Sequence, residues 1–469
     1  MSIWKTKTPA QIDDAAEHTL LKKNLTAFDL AALGIGSVVG TGIFVSTGKG
    51  AMLAGPGVLL SFIIAAITCG FCALTYSELA CMFPVAGSTY TYSYVAFGEV
   101  IAWIIGWDLM LEYLVAASAV ASGWSTTFIG LIQKAGIPLP KALITPLVTA
   151  SPEGKFVFSG GIIDLPAVVI TLLITWILYI GIRESAKLNN IIVGVKVAVI
   201  VLFVFLGVKH VNLANLKPLM PYGWKGVMAG AAIIFFAYIG FDAVSTAAEE
   251  TKNPKRDVPL GLMLCLGVVI VLYVTVAFTL TGIVPFKQID VGNALPAALN
   301  RIGIQWGGAL VATGAIIGMI STLLVTLYGQ IRIFMVMARD GLLPPAFAKV
   351  HPKHRTPHLC TWITGIATAV IAGLFNLDII IEMCNIGTLF AFVLVSVGVI
   401  LLRKTQPQVE RKFKTPGMPF TPLITIGFCI YLMASLMKVT WIRFGGWLLV
   451  GLVIYFFYGV KHSKLQKSE

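Results

Sequence analysis

The sequence is short of charge. Asp, Glu, Lys and Arg make up 12% of its 469 residues, against 57% hydrophobic residues. Globular domains carry about 25% charged residues. The deficit excludes a soluble protein of this size, and also a soluble domain on one anchor; a polytopic membrane protein remains. Cysteine is sparse, and its seven copies (Cys69, Cys72, Cys81, Cys265, Cys360, Cys384 and Cys429) lie mostly within apolar runs. Their spacing fits neither a disulfide framework nor a metal site. A nucleophile–base pair and a phosphate loop are both missing, so no catalytic residue is assigned and an enzyme is excluded. The first 27 residues hold no apolar signal-peptide core; Asp13, Asp14, Glu17, Lys22 and Lys23 make them polar and mixed in charge. Residues 1–27 are therefore expected to stay cytosolic, with the first span retained.

What the chain has in quantity is apolar runs long enough to cross a bilayer, which takes about 20 residues. Twelve candidates run near 28–49, 57–80, 88–130, 161–182, 187–208, 226–248, 259–284, 306–337, 359–375, 379–402, 420–438 and 445–460. The third and eighth exceed what a bilayer needs. Residues 131–160 form the longest polar connection and read as an external loop. With the N-terminus inside, the cytosolic segments hold most of the lysine and arginine, which places both termini in the cytosol. The net charge of +13 then reflects topology, and no nucleic-acid partner is implied.

Two runs are interrupted. The first contains Gly34, Gly36, Gly40 and Gly42. Glycine costs a helix about 1 kcal/mol against alanine. Gly34 and Gly36 read as close-packing positions. Gly40-Thr41-Gly42 reads as a break, with a half-helix starting near Ile43 whose bare N–H groups favour an anion. The sixth run breaks at Phe235 to Ala243, where Gly240 and Asp242 stand at mid-depth. Breaks at matching places of two five-span halves point to an inverted repeat with a binding site at its interface. The halves are 28–208 and 226–402; residues 420–460 add two spans, and 461–469 form a cytosolic tail.

Charge inside a membrane is a functional hypothesis by default. Lys196 lies in an apolar stretch of the fifth span. It either carries a proton or ties its span to carbonyls of the broken first span, and both can hold. Asp242 either faces a cationic ligand or caps the half-helix after it. Asp108 and Glu112 share a face, four residues apart. They look into the bundle or stand hydrated at the external interface. Arg332 is expected to snorkel to the cytosolic surface, and Glu78 to pair near the inner end of its span.

These residues also resemble a family. Gly36 to Phe44 (GSVVGTGIF), Tyr76-Ser77-Glu78-Leu79-Ala80 with Pro84 to Tyr90, Phe236 to Asp242, and Glu249 to Pro259 resemble motifs of the amino acid–polyamine–organocation (APC) transporters. Arg332 to Pro344 and Asn385 to Phe392 resemble its cationic amino acid transporter branch, in particular bacterial homologues of the mammalian members. The likeness covers nearly the whole chain. It implies an all-α membrane protein of twelve transmembrane helices: a LeuT-like five-plus-five inverted repeat with helices 1 and 6 broken, two helices appended, working by alternating access.

By that resemblance the amides of Gly40, Thr41 and Gly42, with Ile43 beside them, hold a substrate carboxylate. The carbonyls of Val38, Phe236 and Ile239 hold its amine, and Phe236 is an aromatic gate. Ile105, Glu112, Asp242, Met319 and Ser321 are side-chain pocket candidates. Lys196 falls where proton-coupled members place a lysine, so the proton is the expected coupling ion and no cofactor is implied. Glu112 and Asp242 favour arginine or lysine, whereas a bulky Met319 favours small neutral cargo such as alanine. The expected activity is proton-coupled symport of L-amino acids across the bacterial plasma membrane. An uncoupled facilitator or exchanger of the same fold is the alternative, and a receptor or channel the remote one. Whether a small accessory subunit binds is left open.

Overall fold

The computed structural model describes residues 3–7, 24–83, 87–151, 154–181, 186–354 and 356–467. Most of the expected 1–27 segment and the Pro84 to Ala86 part of the link motif lie outside the described residues.

The chain is mostly helical. In order, its principal helices are α1 (Ala27–Val38), α2 (Thr47–Ala54), α3 (Val58–Met82), α4 (Ser88–Ala96), α5 (Glu99–Lys134) and α6 (Leu165–Ile180). They continue as α7 (Ala186–Gly207), α8 (Gly223–Ile234), α9 (Ala243–Thr246), α10 (Pro254–Ile283), α11 (Ala294–Arg301) and α12 (Gln305–Arg339). The last four are α13 (His358–Leu374), α14 (Leu377–Thr405), α15 (Phe420–Ala434) and α16 (Lys438–Ile454). Among the described residues, eight helical stretches are long and apolar enough to cross a membrane. Four shorter apolar helices, α1, α6, α13 and α15, stand beside them.

Two expectations need correction. The run at 88–130 is not one span: Gly98, with φ of +94°, separates α4 from α5. Only glycine takes that conformation without strain, and the carbonyl of Trp4 packs where a Cβ would stand. The 131–160 connection is not a plain loop either. Helix α5 extends through Lys134, and Val148–Ala150 pairs antiparallel with Phe156–Phe158, the one named sheet among the described residues.

The described ends of the chain meet on one side of the bundle. Lys5 Nζ donates to the Leu465 carbonyl (2.8 Å). The backbone N–H groups of Glu99 and Val100, among those a helix start leaves without partners, donate to the carbonyls of Lys5 and Ile3. At the same end, α1 begins with a capping box formed by Thr26 and Asp29. Just ahead of it, the N–H groups of Asn24 and Leu25 donate to the Glu250 carbonyl (2.9 and 3.0 Å).

Glu78 pairs as expected. Its buried carboxylate accepts from Arg403 Nε and Nη2 (2.8 and 2.7 Å) and from Thr415 N–H (2.7 Å), with Arg411 at 3.3 Å. The group joins α3 to α14 and to the segment before α15. Removing one partner of a buried pair leaves the other without compensation. Glu78→Ala is expected to destabilise the detergent-solubilised protein by on the order of 2 kcal/mol. Its thermal midpoint should fall by several degrees, while exposed Glu410→Ala should leave it in place.

Candidate functional site

Both interruptions form, and they touch. Helix α1 stops at Val38, whose neighbour Val39 turns to ψ of 90°. A π-turn over Gly42–Ser46 then leads into α2. Helix α8 ends at Ile234, a tight 3₁₀ turn follows over Phe235–Tyr238, Ile239 extends, and Gly240 takes φ of +106° before α9. A Cβ on Gly42 would stand 2.3 Å from the Cα of Ala237, and one on Gly240 would stand 2.6 Å from Ser37 Oγ. Two open backbone segments can approach this closely only where one side of each contact lacks a side chain.

The carbonyls released at the end of α1 are taken by side chains from distant helices. Lys196 Nζ on α7 donates to the Gly36 carbonyl (2.6 Å) and to Thr322 Oγ1 on α12 (2.8 Å). Thr322 Oγ1 also lies 3.1 Å from the Gly36 carbonyl and 3.3 Å from that of Val39. Tyr273 Oη on α10 donates to the Val38 carbonyl (3.0 Å). The tie from Lys196 to the first break is therefore present. Val38 already accepts one hydrogen bond, which leaves its carbonyl one lone pair for another donor.

A cavity lies against this junction, leaving about 50 Å³ in which the centre of a water molecule can move. Val38, Gly40, Thr41, Gly42, Phe236, Ile239, Glu112 and Asp242 line it, all of them expected at the site. Ile43 is fully buried one residue past the lining. Met319 stands behind the wall, its sulfur 3.3 Å from Thr41 Oγ1. Ser321 is buried on α12 outside the lining, while its neighbour Thr322 and Thr326, one turn further along, face the cavity. Ile105 packs in a separate cluster with Tyr90 and Met337, two turns along α5 from Glu112.

Thr322, Thr326, Tyr113, Ala116, Val120 and Ser37 also line the cavity, none of them expected there from the sequence. A signal existed for two of them: hydroxyls four residues apart in an apolar helix fall on one face. The smaller wall residues carry no such mark.

The acids on α5 are not hydrated at an external interface. Asp108 is 0% and Glu112 4% exposed. The Glu112 carbonyl accepts from Cys384 Sγ on α14 (3.7 Å), and Asp108 faces Gly387 on the same helix. Asp242 occupies the N-cap position of α9, and its carbonyl accepts from Ser245 N–H (2.8 Å) and Oγ (2.6 Å). Arg332, expected to snorkel, is partly exposed and paired. It donates to Glu250 Oε1 (2.8 Å) and Tyr328 Oη (2.9 Å), with its guanidinium 4.5 Å from the Tyr328 ring centre.

The site thus offers backbone polar groups from two broken helices, two carboxylates and three threonine hydroxyls in one apolar enclosure. Such a set suits a small ligand with both an anionic and a cationic end.

Known proteins resemble the chain over nearly its whole length. Residues 25–460 match the amino acid permease family model. The chain is 49% identical over 451 residues, 95% of each chain, to a branched-chain amino acid permease, BcaP, of Bacillus subtilis (strain 168). It is 45% identical to the methylthioribose transporter of that strain, over 99% of this chain and all of the relative. With cationic amino acid transporter 9, chloroplastic, of Arabidopsis thaliana it shares 34% identity, covering 94% of this chain and 89% of the relative. This chain belongs to the amino acid permease family of the APC superfamily, a family of multi-pass membrane transporters and not of enzymes.

Proposed function

We propose that the protein carries L-amino acids across the bacterial plasma membrane by alternating access, with a proton as the coupling ion and both termini cytosolic. The single observation behind the reading is the cavity at the contact of Gly42 with Ala237, where two helix breaks open onto one enclosure. On this reading the amides of Gly40, Thr41 and Gly42 hold the cargo carboxylate. Carbonyls of Val38, Phe236 and Ile239 hold its ammonium, and Phe236 closes over it. On this reading α1 and α2 are the two halves of the first span and α3 is the second, so that the apolar helices amount to twelve spans in the LeuT-like arrangement of repeats 28–208 and 226–402. Lys196 binds the first break while protonated and releases it on losing the proton.

For cargo, small neutral amino acids fit the narrow cavity, while Glu112 and Asp242 favour arginine and lysine. Branched-chain amino acids join the panel because the relative at 49% identity is a branched-chain permease. The test is uptake by purified protein in liposomes, across this panel and with an imposed proton gradient. Concentrative uptake of one amino acid class supports the reading. Counterflow without accumulation favours the exchanger instead, and no transport of any amino acid removes the proposal.

Met319 acts through Thr41, not by direct contact, since the sulfur packs on the hydroxyl that borders the cavity. Met319→Ser is expected to deepen the wall there and improve L-arginine binding relative to L-alanine by about tenfold, or ~1.4 kcal/mol. Calorimetry on both ligands checks this; equal affinities before and after remove Met319 from the account.

A further inference from the structure

The antiparallel ribbon between α5 and α6 has an exposed apolar strand that the transport mechanism does not use. Its register sets Val148 opposite Phe158 and Ala150 opposite Phe156. The ribbon is well anchored. Asn376, at the start of α14, donates through its backbone N–H to the Val148 carbonyl (2.9 Å) and through Nδ2 to Thr149 Oγ1 (3.0 Å). Arg443 on α16 donates to the Gly154 carbonyl (2.6 Å), and its guanidinium lies 4.0 Å from the Phe156 ring centre. Phe156 also meets Phe375 at 5.7 Å between ring centres.

Phe158 lies on the same face of its strand as Phe156, two residues on. It is 78% exposed, and Ile162 just after it is 62% exposed. Anchored strands do not normally present such residues to water. The occupant follows from what the strand continues. Helix α6 begins at Leu165 and shows an exposed stripe of Leu165, Val169, Leu173 and Trp176. Those spacings of four, four and three keep the stripe on one helix face, and in a membrane transporter that face meets acyl chains. On α16, beside Arg443, Trp441 and Ile442 are exposed as well. Tryptophan gathers at the boundary of headgroups and chains.

We propose that Phe158 and Ile162 extend the lipid-facing stripe of α6, so that the ribbon is a membrane-contact element seated at the headgroup boundary of the outer leaflet. The occupant is the phospholipid surface and not a second protein. The ribbon thereby fixes the outer end of α6 against α14 and α16 at a set depth.

The seven native cysteines are buried, so an introduced one can be labelled selectively. Phe158→Cys and, separately, Ile162→Cys are labelled with a small fluorophore in the full-length protein. Lys141→Cys, on the exposed part of the same connection, serves as reference. Each variant is reconstituted in phosphatidylcholine–phosphatidylglycerol liposomes and quenched in turn by aqueous iodide and by lipids carrying a nitroxide high on the acyl chain. Label at 158 and 162 is expected to resist iodide at least threefold better than label at 141, and to be quenched by the nitroxide lipid. Iodide access equal to that at 141 overturns the proposal. So does protection that grows with protein density and lacks nitroxide quenching, which identifies a contact between copies.

Discussion

Gly42→Ala is expected to leave almost no transporting protein. The new methyl would stand 2.3 Å from the Cα and 3.1 Å from the backbone nitrogen of Ala237. Backbone atoms cannot rotate away as a side-chain tip can. Overpacking a core costs about 1–3 kcal/mol, and a backbone clash between two helix breaks stands at the upper end of that range or beyond. Uptake should drop below about a tenth of the starting rate as the contact between the breaks is forced open. Gly70→Ala and Gly267→Ala are the controls. Nothing lies within 4 Å of their added carbons, and both sit within helices. There alanine should stabilise by up to about 1 kcal/mol. Normal uptake by Gly42→Ala, at normal protein yield, would show that the two breaks need not touch.

The second large effect is expected at Lys196, and it separates two roles that the geometry allows together. The ammonium holds the Gly36 carbonyl and the Thr322 hydroxyl, and its stem packs on Gly318. Lys196→Met keeps the stem and removes the donor. Loss of one partner from a buried hydrogen bond costs about 1–3 kcal/mol, so the variant should fold with reduced stability. On the proposed proton coupling, uptake driven by a proton gradient should fall more than about tenfold while exchange of internal for external cargo continues. Lys196→Arg supplies the contrast: guanidinium keeps its charge and so keeps a tie, but cannot give up its proton. It should also fail to accumulate cargo. If Lys196→Arg accumulates as well as the parent, the residue is a tie and not a proton carrier.

Much of the site was legible because breaks and charges are local signals. Glycines crowded into an apolar run, or a glycine beside an aspartate at mid-depth, conflict with an unbroken membrane helix whatever surrounds them. For that reason Gly40, Gly42, Gly240 and Asp242 could be found without coordinates. The partners of the freed carbonyls could not. Tyr273 reaches Val38 across 235 residues and Thr322 reaches Gly36 across 286, and neither tyrosine nor threonine is unusual in a membrane helix. The resemblance offers Ser321, whereas its neighbour Thr322 faces the cavity; a one-residue step changes which face a helical side chain takes, and composition does not fix that rotation. The resemblance offers Met319 for the pocket, but a family pattern does not show that Thr41 packs in front of its sulfur. The kink at Gly98 escaped for a related reason: the apolar run continues through it, and the Trp4 backbone that requires glycine there is far away in sequence. The pairing of Arg332 was not legible because Glu250 comes from the segment beyond the second break.

The central claim is that cargo lodges between the ends of the two interrupted helices, and a structure of the protein with a bound L-amino acid tests it most directly. The account predicts the ligand carboxylate within about 3 Å of backbone N–H groups at Gly40 to Gly42 and its ammonium against carbonyls of the second break. Ligand density anywhere else, with the space between Gly42 and Glu112 empty, would contradict it.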